Sequence, residues 1–570
     1  MNRKYKITSR KLKAAKGYAL PLVLVVMLIL IILCFGETMT SYTTRIQAVS
    51  AKAETEAMLA AEAGYERSIF MMCQQSDILG WLQGGGGTAG NINFGTSTCS
   101  YQVDFHGFLG ARPVFEVKSI GKSGRPVYTR VVDVNVMQET SGWAEGSCRI
   151  PNGTTSTTPV YFGSGEIISM PVHINDFHTP DEIDIWISTS GVKPRFLQKV
   201  EMGESRKTSG GSDQYSSVMS CFEAGIDFDQ PDIRITDAAA VQSKVNRFYN
   251  STNPLYRFTP KNLAPGVSPS CLATQIEFYV NKNTHAGMVR IDPCCTVQLH
   301  SAGPSDYNIV SGSSPMSFHQ YNIYAYHFKK TTDPCIVVPI TNTYVTQTFG
   351  GYTSDPGGQI YVNGNVVIGG GEDANFTDVS NMIVKGKITV VATGNIWIAD
   401  SILVDDNDNS GNHYQRDANG MPNINNPNVL GLIAQGVIKV VDPGLADSPA
   451  SVSNYTYRPI GINKSGKRYL PDPTVVEAAI TVGGGGWGAE NVNTSGGRRV
   501  YSTPQDYLVV HGSITEVVRG IVGHLGSDGY IKQYYIDTRL MTGILPGDIW
   551  FSGKYIPAPA GWHDYGINEQ

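Results

Sequence analysis

The stretch "KAAKGYALPLVLVVMLILIILCFGE" (residues 13–37) joins a basic segment directly to an uninterrupted apolar run. Residues 18–35 contain no charged side chain, and a helix of that length extends roughly 27 Å, close to the thickness of a bilayer core. Residues 1–17 carry seven basic groups and no acidic group, which favours a cytoplasmic N-terminus. The stretch therefore predicts a single transmembrane helix over residues 18–36.

The far side of the apolar run lacks the features of a removable secretory signal. The sequence "LCFGETMT" (33–40) offers no small-residue cleavage site. Leu33 is bulky and precedes Cys34, which disfavours a lipoprotein site. The run is therefore predicted to remain in the mature protein.

Pro21 indicates where the mature chain begins. Inside a continuous helix, proline removes a hydrogen bond and clashes with the preceding turn, at a cost of about 3 kcal/mol. In the first turn the amide groups lack partners in any case, so proline is tolerated there. A chain that begins at Tyr18 places Pro21 in that first turn.

The junction Lys16-Gly17 before an apolar helix resembles the leader of type IV prepilins. The stretch "AAEAG" (60–64) resembles the signature of PilX-like N-terminal regions. This resemblance implies that a membrane prepilin peptidase cuts between Gly17 and Tyr18 and that the new amino terminus is methylated. It also implies that the helix packs against other pilins or pseudopilins.

Three residues are candidates for a role in assembly by the same resemblance: Pro21, Leu22 and Glu62. Most major pilins carry a glutamate at the place of Leu22. An apolar residue there resembles PilX-like minor pilins and the tip pseudopilin of type II secretion. This departure favours a minor or tip subunit over a repeating shaft subunit.

The segments that follow the membrane predict a small α+β unit. Residues 37–80 are free of proline and rich in Ala, Glu and Met, which predicts that the helix continues outside the membrane. The glycine-rich stretch "WLQGGGGTAGN" (81–91) breaks the helix, and the alternating segments of 99–137 predict an antiparallel β unit over 81–140. Residues 141–160 are rich in Ser, Thr and Gly and are predicted to be a linker.

The region 161–560 repeats a short unit in which glycine separates two alternating strands, as in "QIYVNGNVVIGG" (359–370) and "ITVVATGNIWIAD" (388–400). Such units with insertions of uneven length are typical of a parallel β-helix. Two polar insertions are expected, at 405–428 and 441–504. Several of these segments also resemble the large region attached to PilX-like leaders in some bacteria. The predicted fold class is mainly β, with one long N-terminal helix, a small pilin-like unit and a β-helix-like domain.

An enzymatic use of this domain is not favoured. Asp405-Asp406 resembles the paired aspartates of polygalacturonase-like enzymes, and Gly523-His524 resembles their histidine motif. More than a hundred residues separate the two motifs, Leu525 replaces the glycine of the second, and the other family motifs are missing. A solvated loop explains the aspartates more simply. The chain is predicted not to be an enzyme.

No cofactor or metal site is predicted. In "DDNDNSGN" (405–412), the glycine and glutamate positions of an EF-hand are Ser410 and Arg416, although weak calcium binding stays an alternative. His173, Asp176 and His178 are close in sequence, but Val172 and Ile174 flank the histidine, which predicts a core strand with His173 on its polar face. Eight of the nine cysteines follow the apolar run, and they permit disulfides in an exported body without fixing their pairing.

The formal net charge of −5 becomes −12 once the seven basic residues of the leader are set aside, which argues against nucleic-acid binding.

The sequence as a whole predicts an assembly component of a type IV pilus or type II secretion-like filament. Its helix lies in the bacterial inner membrane or in the filament, and its β-rich head is displayed in the periplasm or outside the cell for tip, priming or adhesion roles. Surface glycans are a further candidate partner. The alternative is a single-pass envelope protein whose body binds or cleaves polysaccharide.

Overall fold

The structure is a computed structural model of the chain, and it describes most of the residues between Ala19 and Ile567. Described are 19–75, 78–109, 112–138, 160–174, 185–206, 208–209, 212–213, 215–230, 245–246, 248–261, 271–299, 305–311, 314–320, 323–329, 336–346, 348–349, 351–353, 357–369, 382–408, 413–441, 456–459, 473–483, 486–489, 507–516, 520, 522–524, 528–542 and 555–567.

A single long helix, α1, runs from Ala19 to Cys73, and a short helix, α2, follows over Ile78–Gln83. The continuous helix thus ends before the predicted bound of residue 80. The amides of Gln74 and Gln75 donate to carbonyl groups three residues earlier, at 3.2 and 3.1 Å, so the last turn tightens to 3-10 geometry where the helix ends. Ile78 is then buried in the core beneath the adjoining sheet.

An antiparallel sheet of five strands packs on the second half of α1. Four strands are consecutive, and the fifth comes from the C-terminus and pairs with Tyr128–Gln138. In spatial order the strands are Thr88–Phe94, Ser97–Leu109, Arg112–Ser123, Tyr128–Gln138 and Tyr555–Ile567.

Small side chains let the helix lie directly on this sheet. A Cβ atom placed on Gly121 would lie 2.0 Å from the Ala57 carbonyl oxygen and 2.4 Å from the Ala61 nitrogen. A Cβ atom on Gly64 of the helix would lie 2.2 Å from Ser119 Oγ. Glycine and alanine are therefore required where the two backbones meet. The buried helix residues are Ala53, Ala57, Ala60, Ala61, Gly64, Tyr65, Ser68 and Met72.

Three parallel sheets form the core of the body, and strand Tyr507–Glu516 belongs to both the first and the third, which it joins into one larger sheet. The first contains Arg257–Phe258, Gly357–Val362, Lys387–Ala392, Val429–Ala434, Ala479–Val482 and Tyr507–Glu516. The second contains Cys271–Val280, Asn365–Ile368, Ile396–Ile398, Ile438–Val440 and Trp487–Ala489. The third contains Met382–Val384, Ile402–Val404, Thr474–Val476, Tyr507–Glu516, Ile531–Ile536, Ile167–Ser169 and Arg195–Phe196.

The chain visits these three sheets in the same order in successive passes between residues 382 and 489. Each pass stacks its apolar side chains on those of the previous pass. One such column, in the first sheet, consists of Ile360, Val390, Leu432, Ile480 and Ile514, all of which are at most 1% exposed. The stacked passes therefore share one continuous apolar core.

The repeated glycines lie at the corners between sheets. Gly364 has φ +149, and a Cβ atom on Gly436 would lie 2.0 Å from Asn395 Oδ1. That amide oxygen accepts a hydrogen bond from the Val437 nitrogen at 3.0 Å, and Asn365 accepts one from the Asn395 nitrogen at 2.9 Å. Asparagine thus satisfies buried amides at the corners, and glycine leaves room for it.

The segment 160–227 extends the same stack from the opposite end of the chain. Strand Ile531–Ile536 pairs in parallel with Ile167–Ser169, which pairs in turn with Arg195–Phe196. The two outer faces of this segment hold short parallel strands, namely Val160–Phe162 with Ile185–Ile187, and Val172–Ile174 with Val200–Met202 and Ile226–Asp227. The beginning of the body therefore stacks on the end of the body.

Part of the body is antiparallel, which the sequence did not predict. Cys271–Val280 and Gly287–Leu299 form a hairpin whose short connection contains an Asn281 turn and His285 at φ +53. A connection of that length permits only antiparallel pairing. Ile323–Lys329, Ile336–Pro339 and Thr456–Pro459 extend this side in antiparallel fashion.

The remaining elements are small. Tyr344–Val345 pairs with Gly357–Val362, and four two-stranded ladders complete the strands: Thr208–Ser209 with Ser212–Asp213, Ser305–Ser311 with Ser314–Gln320, Thr348–Phe349 with Tyr352–Thr353, and Gly523–His524 with Asp528–Gly529. Short 3-10 helices span Met219–Cys221, Pro254–Tyr256, Ile340–Thr343 and Thr538–Thr542. The predicted fold class is confirmed: the chain is mainly β, with one long helix on an antiparallel sheet and large parallel sheets.

Candidate assembly site

The first half of α1 makes no contact that buries it in the chain. Its most apolar window of eighteen residues has a mean hydropathy of 3.1 and is 0% buried. Among the described residues it is the one helix that is long and apolar enough to cross a membrane. A surface of this kind needs an apolar environment, which is either lipid or other helices.

The predicted processing residues Gly17 and Tyr18 lie outside the described residues. Helix α1 is described from Ala19, so Pro21 is in its first described turn, where a missing amide proton costs little. Leu22 is 66% exposed on the helix surface. The rest of the chain therefore leaves its side chain uncovered.

Glu62 lies in the other half of the helix, where α1 packs on its own sheet. It is half-buried, while Ala60, Ala61 and Gly64 beside it are buried. The small residues of the "AAEAG" stretch thus have a packing role within this chain. An assembly role for Glu62 stays a prediction.

An apolar stripe that the sequence analysis did not predict lies on α1 beyond the predicted membrane span. Met39, Tyr42, Ile46 and Val49 follow one another at spacings of three, four and three residues and are 46–64% exposed. Spacings of three and four place side chains on one helix face, as in the seam between two packed helices. The stripe leads into Ala53, where α1 begins to pack on its own sheet. These spacings of three and four residues are visible in the sequence and could have predicted the stripe.

The threonines between these apolar residues satisfy their own hydroxyl groups. Thr40 donates to the Gly36 carbonyl at 2.8 Å, Thr43 to Met39 at 2.8 Å, and Thr44 to Thr40 at 2.8 Å. A hydroxyl that bonds the preceding turn of its own helix needs no water. This part of α1 is therefore compatible with an environment from which water is excluded.

A hydrogen bond and an ion pair join the helix to the sheet. Glu56 accepts a hydrogen bond from Ser123 Oγ at 2.9 Å, and Glu54 Oε1 lies 3.2 Å from Arg130 Nη1. The ring of Trp562, on the C-terminal strand, meets Tyr65 edge-on at 5.3 Å between centroids. The C-terminal strand thus contacts the helix through Tyr65 and completes the sheet beneath it.

The polar insertion at 405–428 is, in its described part, a loop held by hydrogen bonds, and its Asp405 is buried where a solvated side chain was predicted. Arg416 donates to Asp406 Oδ2 at 2.6 Å, to Glu477 Oε2 at 3.0 Å and also to Glu477 Oε1. Glu477 is 2% exposed and also accepts from the Val404 nitrogen at 2.7 Å, while its Oε1 lies 3.0 Å from His511 Nδ1. Burial alone raises the pKa of Glu477, but the bonds from His511 and Arg416 outweigh it and hold the pKa below its usual value.

A second arginine fixes the other end of this insertion. Arg539 is 1% exposed and donates to the carbonyl groups of Asn426 and Asn428 at 2.7 and 2.8 Å. Both asparagine side chains donate to the Asp405 carbonyl, at 3.0 and 2.7 Å. Asp405 itself lies 3.0 Å from Lys385 Nζ. Its carboxylate is therefore occupied by a cationic partner within the chain.

The structure describes only some of the other residues that were considered as metal ligands. His173 lies in a core strand as predicted, but its side chain is fully buried and does not lie on a solvated polar face. Glu201 Oε2 on the neighbouring strand lies 3.2 Å from its Nδ1 and is its polar partner. Asp176 and His178, and residues 409–412 of the candidate calcium loop, lie outside the described residues. Within the described part of the chain, no three His, Cys, Asp or Glu side chains cluster closely enough to hold a metal ion.

Comparisons with known proteins give little support for an assignment. No protein-family model matches the chain, and no curated protein matches it. Among solved structures, the competence-associated pilin ComZ from Thermus thermophilus is a distant match, with a TM-score of 0.26 and 12% identity over 90% of this chain and 98% of that chain. A match at this level is no evidence about function. The proposed function therefore depends on helix α1 and its exposed surface.

Proposed function

We propose that this chain is a minor pilin or pseudopilin of a type IV pilus or a type II secretion-like filament. One observation carries the proposal: α1 is a continuous helix whose first half is apolar and exposed, and whose second half is embedded in the chain's own sheet. A helix arranged in this way joins a displayed body to a membrane or to a bundle of similar helices.

The leader sequence supports the same proposal. A prepilin peptidase would cut between Gly17 and Tyr18 and leave Pro21 in the first turn of the mature helix. Leu22 takes the place of the usual glutamate and is far less costly in lipid than a carboxylate. We infer a tip or priming position in the filament, with the chain held in the bacterial inner membrane before assembly and its body displayed outside.

Photo-crosslinking in the native host tests this proposal. A benzophenone amino acid at Tyr42, in the exposed stripe, is expected to form adducts with other proteins that have prepilin-type helices. The same amino acid at Ile424, an exposed apolar position on the body, is the matched control and should give none of these adducts. Identical adducts at both positions, or no protein adducts at Tyr42, would contradict the proposal.

A further inference from the structure

Two aromatic side chains lie side by side on one outer face of the body. Tyr161 and Trp186 occupy paired positions on the neighbouring parallel strands Val160–Phe162 and Ile185–Ile187. They are 43% and 39% exposed, and their ring centroids are 5.3 Å apart at an interplanar angle of 48°. Their neighbours Phe162, Ile185 and Ile187 point into the core. The pair therefore exposes apolar surface beyond what the core requires.

The other two faces of the same segment carry charges at their outward positions. Arg195 Nε lies 2.6 Å from Glu223 Oε1 on one face, and Lys199 Nζ lies 2.5 Å from Asp227 Oδ2 near the other. Such pairs are ordinary for solvated strands. The face with Tyr161 and Trp186 is aromatic at these outward positions, where the other two faces carry ion pairs.

The aromatic pair is held on rigid backbone. The Ser188 nitrogen donates to the Phe162 carbonyl at 3.0 Å, and Lys532 Nζ donates to the Tyr161 carbonyl at 3.3 Å. Phe162 contacts Phe196 edge-on at 4.7 Å beneath the pair. Since the strands that carry both rings are fixed in this way, a ligand stacked on the rings would order little additional backbone.

We infer that Tyr161 and Trp186 form a binding platform for a neutral polysaccharide. An aromatic ring offers a flat apolar face with a polar edge, which matches a sugar ring that has C–H groups on its faces and hydroxyl groups at its rim. Ser164, three residues after Tyr161, donates its hydroxyl proton to the Val192 carbonyl at 2.8 Å, and its oxygen can still accept a hydrogen bond. The net charge of −12 outside the leader disfavours a polyanion that would stack on the same rings.

This inference rests on the proposed display of the body outside the membrane, where polysaccharides are present. The two ideas can fail independently. Crosslinking at Tyr42 tests filament assembly without reference to sugars, and a binding assay on the purified chain tests the platform without reference to a filament.

The test is retention of the full chain, in detergent micelles, on insoluble cellulose, chitin and β-1,3-glucan. Retention on at least one of these is expected, with a loss of affinity of about tenfold or more for Trp186→Ala and for Tyr161→Ala. Trp186→Phe keeps a ring and should retain most of the binding. Tyr507→Ala, which removes a similarly exposed aromatic ring elsewhere on the body, should bind as the unaltered chain does.

The inference is overturned if the chain is retained on none of the three polysaccharides, or if Trp186→Ala binds as well as the unaltered chain. An equal loss in Tyr507→Ala would also overturn it, because the effect would then be general to exposed rings. Tighter binding to single-stranded poly(dT) than to any of the polysaccharides would replace the sugar with a nucleic acid. Melting curves of each variant show whether the fold is retained, and a loss of binding in a folded variant supports the inference.

Discussion

Replacement of Glu477 by alanine is expected to lower the free energy of unfolding by about 3–5 kcal/mol. The carboxylate is 2% exposed and accepts hydrogen bonds from Arg416 and from the Val404 nitrogen, and it lies within hydrogen-bond distance of His511. Its loss leaves the Val404 amide and His511 buried without this partner and removes one of the two carboxylates that Arg416 contacts, and such a loss costs more than the pair itself contributes. Thermal unfolding and hydrogen exchange over residues 413–428 measure the effect.

A matched control for this change is Glu223→Ala, which removes an ion pair with Arg195 on the solvated surface. That pair is about half exposed on each side, so the control should unfold almost as the unaltered chain does. Equal unfolding of the Glu477 and Glu223 variants would mean that the insertion does not depend on this carboxylate.

Acidification should affect the same site in a defined direction. Folding holds the pKa of Glu477 below its ordinary value of 4.5, so the unfolded chain binds a proton there more readily than the folded chain. The stabilisation is therefore complete above pH 4.5 and is lost as the pH falls through the folded pKa. The Glu477→Gln variant has no such proton equilibrium, so its stability deficit should shrink on acidification below pH 4.5.

Replacement of Gly121 by alanine is expected to separate the helix from its sheet, at a cost of at least about 2 kcal/mol. The added methyl group would meet the backbone of α1 at 2.0 and 2.4 Å, and backbone atoms cannot move aside as a flexible side chain can. Hydrogen exchange of the amides of residues 53–72 should rise, because these residues pack on the sheet.

Gly90→Ala is the matched control for Gly121→Ala. Gly90 belongs to the same sheet, and no heavy atom lies within 4 Å of a Cβ atom placed there. Its replacement should leave the exchange of residues 53–72 unchanged. If Gly121→Ala exchanges as slowly as Gly90→Ala, the close contact between helix and sheet does not stabilise the unit.

Local sequence was sufficient for the features that depend on local physics. The uncharged run of residues 18–35 predicted the exposed apolar helix, and the glycine-centred units predicted the corners of the stacked passes. Both signals arise within a few residues, from helix length and from the backbone freedom of glycine.

Features that depend on distant pairing were not predictable in the same way. Strand Tyr555–Ile567 returns to the N-terminal sheet, and Ile167–Ser169 stacks on Ile531–Ile536. Each pairing joins segments that hundreds of residues separate, and register along a strand is fixed by the partner's apolar pattern, which no local window contains. Arg416 and Glu477 are 61 residues apart, so no local window of sequence could predict their contact.

The functional residues also differ in whether local sequence could predict them. The apolar run and Pro21 were readable because membrane thickness and helix termini impose strict rules on sequence. The platform of Tyr161 and Trp186 was not, because each residue alternates with apolar neighbours as any strand residue does, and only the fold shows which of them face outward.

The most direct test of the proposed function is the N-terminal mass of the native protein extracted from membranes. Intact-mass and terminal-peptide analysis should find a mature chain that begins at N-methylated Tyr18, with the apolar helix of residues 19–36 retained. Such a chain has passed through the prepilin pathway. A chain that still carries residues 1–17 would contradict the proposal and would leave an anchored envelope protein with a β-rich body.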